Sequence, residues 1–339
     1  MSRFDVVGIG NALVDVLSHE SDAFVQQHGL TRGAMQLIDT ERAEQLYAAM
    51  GPATEISGGS AANTTVGIAS FGGTAAFVGR VNDDQLGAVF GHDLRAAGVE
   101  FRTPPASDGV PTGRCLIIVT PDAQRTMNTY LGASAQLGPS DLDAELIRGA
   151  QVLYLEGYLW DEPDAKDAFR RAARTAHEAG NRVAFTLSEA SCVDRHRIEF
   201  LDLVEHDVDV LFANEVEITS LYEVTEFDDA LQLVRDQCEI AALTRSEKGS
   251  LIVTRDEVHV VDPHPVAEVV DTTGAGDLYA SGFLYGLTHG YDLGTAGRLG
   301  SLAASEVISH LGARPQHSLA DLARPMLEET KWSRARASG

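Results

Sequence analysis

Seven consecutive residues, Asp271-Thr272-Thr273-Gly274-Ala275-Gly276-Asp277, hold the clearest chemistry in the chain. Val266 to Val270 before them reads as the end of a strand. After them, Leu278, Ala280, Phe283, Leu284 and Leu287 recur at helical spacing. Gly274, Ala275 and Gly276 therefore sit where a loop becomes the first turn of a helix. The first amides of a helix lack partners inside it and point outward, with the positive end of the dipole behind them. Small residues let a phosphate come close to such a backbone. Asp277 lies in that first turn, beside any anion held there. A carboxylate repels a bound phosphate, so the layout suits storage poorly. It makes sense if Asp277 accepts a proton from a hydroxyl that attacks the phosphate. The structural alternative is a glycine-rich helix start in which Asp277 merely favours the dipole.

Other polar residues gather at the ends of apolar runs. Phe4 to Ile9 reads as a fully buried strand of a parallel sheet, and Asn11 and Asp15 come just past its carboxyl end. Ligands bind at that end of open α/β sheets. A paired amide and carboxylate there can grip two adjacent hydroxyls, or serve as a turn residue and a solvated charge. Gly58-Gly59-Ser60 opens a helix to about Phe71, with Asn63 one turn in. The two glycines allow close backbone approach, and Gly59 or Ser60 can cap the helix. Asn214 and Glu217 form an N-x-x-E at a strand-to-helix junction, which is also a capping arrangement. Gly8-Ile9-Gly10-Asn11-Ala12-Leu13 invites a dinucleotide reading, but Leu13 stands where the third glycine should be.

The elements that must hold these residues alternate. Strands at 75–81, 151–155, 182–187, 207–212 and 240–245, with helices at 85–97, 163–179 and 215–222, imply a parallel sheet with helices on both faces. Thr112 to Val119 and Arg125 to Leu131 read instead as a hairpin, with a turn at 121–124. With the segment from about Leu17 to Ile38, that hairpin makes a small sheet outside the main one. A helix from Thr295 to His310 is alanine-rich. The 339 residues, 44% hydrophobic and 22% charged, have a soluble globular composition. Fifty acidic against 26 basic residues give a formal charge of −24, which argues against nucleic acid or anionic membrane as partner. Only three lysines occur, none after a glycine, so a Walker A loop is excluded and phosphate must be met by backbone and arginine. Three scattered cysteines suggest a reducing compartment and no zinc site. The opening Met-Ser-Arg-Phe-Asp-Val-Val lacks a signal-peptide pattern and no run spans a membrane, so a cytoplasmic protein is expected. Residues 331–339 are expected to fray.

The string Asp271 to Asp277 resembles the second signature of the PfkB-type carbohydrate kinases, the ribokinase and adenosine kinase family, and the resemblance extends over nearly the whole chain. It implies a ribokinase-like three-layer α/β/α domain over 1–330 with a mostly parallel central sheet. A β lid drawn from about 12–40 and 99–134 would cover the substrate, and Arg125 on it would reach the transferred phosphate. The resemblance makes Asp277 the base and the Gly274, Ala275 and Gly276 amides an anion hole. It gives Asn11, Asp15, Gly58, Gly59 and Asn63 to the sugar, and Tyr158 to a stacked base. Asn214, Thr244, Arg245 and Gly249 would meet ATP, while Glu217 would organise Mg²⁺ through water. Asp271 and Thr273 are the candidates for a monovalent cation, K⁺ in that family. Adenosine kinases look most similar, on the Asn11–Asp15 spacing, on Tyr158 and on the lid segment 125–133. The expected activity is therefore transfer from ATP to the 5′-hydroxyl of a ribonucleoside, as monomer or homodimer. A kinase for ribose, fructose or another purine nucleoside, a non-catalytic nucleotide binder and a dehydrogenase are the competing readings.

Overall fold

In β1 (Phe4–Ile9) the run Val-Val-Gly-Ile has no polar alternation, because both faces are covered: Val7 and Ile9 pack into the core on one side of the sheet and Val6 into the core on the other. A computed structural model describes residues 3–122 and 124–337, with side chains as far as 328. From β1 the chain runs through β2 (Leu13–His19), helix α1 (Asp22–Gln27), β3 (Met35–Leu37), α2 (Thr40–Ala49) and β4 (Ala53–Gly58). Helix α3 (Ser60–Ser70), β5 (Ala75–Val78), α4 (Gln85–Ala96) and β6 (Val99–Phe101) follow, then β7 (Gly113–Val119) and β8 (Arg125–Tyr130). The alternating half comprises α5 (Ala144–Arg148), β9 (Ala150–Glu156), α6 (Pro163–Glu178), β10 (Arg182–Thr186), α7 (Ala190–His206) and β11 (Val210–Asn214). It continues with α8 (Glu215–Tyr222), α9 (Phe227–Val234), β12 (Ile240–Thr244), β13 (Ser250–Val253) and β14 (Val258–Val261). Helices α10 (Ala275–Thr288), α11 (Leu293–Val307) and α12 (Leu319–Ala337) complete it.

Nine strands form the main sheet in the order β14-β13-β12-β11-β10-β9-β1-β5-β6, parallel except where β13 and β14 turn back at one edge. Helices cover both faces. On α6, Ala165, Ala168, Phe169, Ala172, Ala173 and Ala176 form the buried stripe, and Pro163 starts the helix where no amide donor is needed. On the other face α10 is wedged between the sheet, α3 and α11, so it is buried nearly all round. This is the three-layer ribokinase-like architecture that the sequence implied.

Several expectations are corrected. Val266–Val270 is not a strand: it runs without sheet partners, and the Val270 amide donates to the Ile308 carbonyl instead. The small sheet has five strands, β3-β8-β7-β2-β4, so it gains β4 beyond the expected 12–40. Residues 99–101, expected in that sheet, pair with β5 at the edge of the main one. The stretch expected to fray continues as helix to Ala337, while residues 338 and 339, like Ala123 of the expected hairpin turn, lie outside the described residues. Among the described residues no helix is long and apolar enough to cross a membrane.

The passage from small sheet to main sheet is made at Gly59, which precedes α3 with φ +96°. A Cβ there would sit 2.1 Å from the Asn11 carbonyl oxygen. Gly59→Ala is therefore expected to cost about 1–3 kcal/mol through backbone strain alone, with the clash added. Urea denaturation midpoints of the two proteins measure it.

Candidate active site

Parallel strands end together on one side of the sheet, and the sequence candidates arrive there from several of them. Asn11 follows β1, Glu156 ends β9, Asn214 ends β11, and Thr244 ends β12. Opposite them stands the mouth of α10. Gly274 precedes it in the left-handed region (φ +80°), packed so closely on Ala313 that a Cβ would fall 2.8 Å from the alanine methyl. A Cβ on Gly276 would meet nothing within 4 Å. The space a side chain would fill at that residue is therefore open. The Ala275 amide is committed differently, donating to the Thr272 carbonyl at 3.2 Å.

Asp277 is held by two donors from α3. Ser60 Oγ donates to Oδ1 at 2.6 Å and Asn63 Nδ2 to Oδ2 at 2.9 Å, while Thr64 Oγ1 reaches the Asp277 carbonyl at 3.2 Å. Ser60 thus serves the carboxylate, and no side chain caps α3. Burial holds the Asp277 carboxyl above the ordinary carboxylate range, against the pull of these donors and of Arg314. Asn63 Oδ1 is buried and has no partner. The amide whose nitrogen fixes the candidate base thus keeps an acceptor with no protein partner. Asp15, on β2, is pushed up to about 6 by burial, with Arg314 and Arg125 pulling it down and Asp277 and Asp271 pushing it up.

Asn11 is tied into the framework on both sides of its amide. Its Nδ2 donates to Glu156 Oε1 at 2.8 Å, and its Oδ1 accepts from Ser134 Oγ at 2.8 Å. Glu156 also accepts from the Asn11 and Ala61 amides, each at 2.7 Å. This fully buried carboxylate, raised to about 7 by desolvation, ties the end of β1 to the start of α3. Asn11 is thereby engaged in the framework, and Asp15 and Asn63 carry the free hydrogen-bonding capacity. Gly58 leaves room for Asp15, whose carboxylate would lie 2.7 Å from a Cβ there. Sequence reasoning named Ser60 only as a helix cap, and it did not single out Ser134, Glu156 or Arg314 as site residues. Glu156 alone had a signal, a carboxylate at the end of an apolar run, which needs partners when buried.

Arg125, on β8, forms an ion pair with Asp271 at 2.7 Å, both side chains no more than 10% exposed. Asp271 also accepts from the Thr273 amide and Oγ1, at 3.1 and 2.7 Å, and from the Gly312 amide at 2.9 Å. Both its oxygens are engaged and a guanidinium already supplies the positive charge. Asp271 and Thr273 therefore do not fit the potassium role the resemblance suggested, and no step below uses that ion. Asn214 and Glu217 make a complete capping box, with Asn214 N and Nδ2 donating to Glu217 at 2.9 and 2.6 Å. Glu217 is raised to about 7 by burial and by the charges of Glu189 and Asp277. Arg245 turns to Glu215 at 3.2 Å and stacks on Phe227, beside Thr244 and the Gly249 turn. Tyr158 packs on the core beneath α6 and α7 and donates its hydroxyl to the Ser188 carbonyl at 3.3 Å.

A family profile described as pfkB family carbohydrate kinase matches residues 33–319. The chain belongs to the PfkB family of carbohydrate kinases. It is 51% identical to adenosine kinase from Sinorhizobium meliloti, with a TM-score of 0.89 over 96% of this chain and 100% of that one. It is equally identical, 51%, to a probable sugar kinase from Rhizobium etli CFN 42, with a TM-score of 0.90 over 96% and 99%. A curated relative, 5-dehydro-2-deoxygluconokinase of Shouchella clausii, is 28% identical over 97% of this chain and 95% of its own. As a PfkB kinase the protein transfers phosphate from ATP to a sugar or nucleoside.

Proposed function

We propose that this kinase phosphorylates the 5′-hydroxyl of a ribonucleoside, adenosine first. The observation that carries the reading is the pairing of a polar floor with an apolar roof. On the floor, Asp277 faces Asn63 and Asp15 at the mouth of α10. The roof is the face of the small sheet that carries Asp15 and Arg125. The strand register puts Ile56 and Cys115 beside Asp15, Ile117 beside Leu17, and Met127 beside Ile117 and Met35. Met35, Leu37 and Ile56 are exposed on it. Such a surface suits the faces of a heterocycle, whereas a hexose would meet it with hydroxyls that find no partners. The adenosine kinase from S. meliloti at 51% identity supports the same reading.

In this reading Asp15 and the free Asn63 oxygen accept from the ribose hydroxyls, which points the 5′-oxygen at Asp277. Positioning and charge stabilisation dominate phosphoryl transfer through a loose transition state, and Asp277 takes the hydroxyl proton late. The Gly276 amide and the α10 dipole stabilise charge on the transferred group. Mg²⁺ would neutralise the ATP phosphates. Among the described residues no group of three or more His, Cys, Asp or Glu gathers to hold a metal. Glu217, buried beside the charges of Glu189 and Asp277, would be the residue to meet such an ion through water.

Initial rates with Mg-ATP and adenosine, inosine, ribose, fructose or 5-dehydro-2-deoxygluconate test the reading. Adenosine is expected to exceed each free sugar in kcat/KM by at least roughly 10²-fold, since unpaired buried hydroxyls are costly. A free sugar turned over as well as adenosine overturns it.

A further inference from the structure

Arg314 stands on the loop between α11 and α12, and its hydrogen bonds land on both sides of the Gly58-Gly59 passage. Nε donates to the Ser57 carbonyl at 3.1 Å and Nη2 to Ser57 Oγ at 3.1 Å. Nη1 donates to the Ala62 carbonyl at 3.3 Å. Ser57 belongs to β4 of the small sheet, and Ala62 to the first turn of α3. Asp93 of α4 braces the same point, accepting from the Ser57 amide at 3.0 Å. The guanidinium so fixed lies in the field of Asp15 and of Asp277.

We propose that Arg314 is a positioning residue: a fixed cation that pins the β4–α3 junction and keeps Asp15 and Asp277 ionised together at neutral pH. This rests on the roles given above to those two aspartates. Two buried carboxylates that face one small substrate repel each other, and one of them ordinarily takes up a proton. A reaction that needs Asp15 to accept from hydroxyls and Asp277 to accept a proton cannot tolerate that. Arginine fits the task because its planar fork serves three acceptors at once. Burial lowers its own pKa only to about 10, so it stays charged at neutral pH. The other groups facing Asp15 are Arg125, Asp277 and Asp271, with the Cys115 thiol on the neighbouring strand. Those facing Asp277 are Glu156, Glu217, Tyr154 and Tyr158. Among these neighbours Arg125 is the second cation, and it is already paired with Asp271.

The test is the titration of the Asp15 carboxyl, followed by carbon-13 NMR of labelled ligand-free protein and assigned with Asp15→Asn. In Arg314→Gln the midpoint is expected to rise from about 6 by about one pH unit or more. At pH 7, kcat/KM for whichever acceptor the parent phosphorylates should fall about 2-fold for a midpoint one unit higher and about 10-fold for one two units higher, and this deficit should shrink as pH rises. An Asp15 midpoint unmoved in folded Arg314→Gln overturns the proposal. Arg314→Lys keeps the charge without the fork. There the midpoint should stay within about half a unit of the parent while the acceptor KM rises several-fold. If Arg314→Gln does not fold, Arg314→Lys decides: a moved midpoint with unchanged KM overturns the proposal. If the parent phosphorylates a hexose and no nucleoside, the nucleoside reading fails, but the carboxyl titration still judges Arg314.

Discussion

Asp277→Asn is expected to lower kcat by roughly 10²-fold or more, the usual scale of a general base. The fold should survive the change for a local reason. The introduced amide keeps an oxygen that can accept from Ser60, while its nitrogen would face the Asn63 nitrogen, donor against donor. Asn63 can turn over, because its oxygen has no partner to lose. That turn presents a donor to the acceptor sugar where an acceptor stood, so KM for the sugar or nucleoside should rise as well, while KM for ATP stays near the parent value. Steady-state kinetics in both substrates, with circular dichroism as the control for folding, check it. A turnover close to that of the parent would remove Asp277 from the chemistry.

Asp15→Asn should reduce kcat/KM for the acceptor by roughly 10²-fold, since hydrogen bonds to a charged group are worth about 1.5–3 kcal/mol each. The pH dependence gives a sharper reading. Asp15 is pushed up to about 6, so it takes a proton as pH falls through that value, and the parent kcat/KM should fall with it. In Asp15→Asn that limb is absent. Stability moves in the opposite sense. A carboxyl whose folded pKa exceeds its unfolded value near 4 destabilises the ligand-free protein above pH 6, and the penalty vanishes below pH 4. The variant should therefore melt higher than the parent at pH 7.5 and lose that advantage as pH falls to 4. Calorimetric scans at several pH values, set beside the pH–rate profiles, test both halves.

What the sequence made legible is what is local. Helix α10 declares itself by its apolar spacing, α8 by the Asn214–Glu217 cap, and β1 by an unbroken apolar run. Val266–Val270 misled because valine favours strands on average, yet a strand needs a neighbour and none lies beside these residues. β4 was missed for the converse reason: Ala-Thr-Glu-Ile-Ser-Gly has little alternation, and pairing with β2 makes it a strand. The site shows the same limit. Asp277 and its glycines are contiguous, so their chemistry is written in one string. Arg314 meets Ser57 across 257 residues, and Glu156 meets Asn11 across 145. No periodicity or motif encodes such contacts. Asn11's bonds to Glu156 and Ser134 are likewise out of reach of the sequence.

Arg125 rides on the roof, and Asp271 belongs to the same seven residues as Asp277, the candidate base. For the roof to swing away, a guanidinium must leave a carboxylate where both are nearly dry, and water must reclaim each. If the roof opens to pass acceptor and product, the Arg125–Asp271 pair and the Arg125 contact to Thr273 Oγ1 at 3.4 Å would have to break. A nucleotide whose terminal phosphate approached Arg125 would compete with Asp271 for it, so arrival of the donor would itself loosen the bolt.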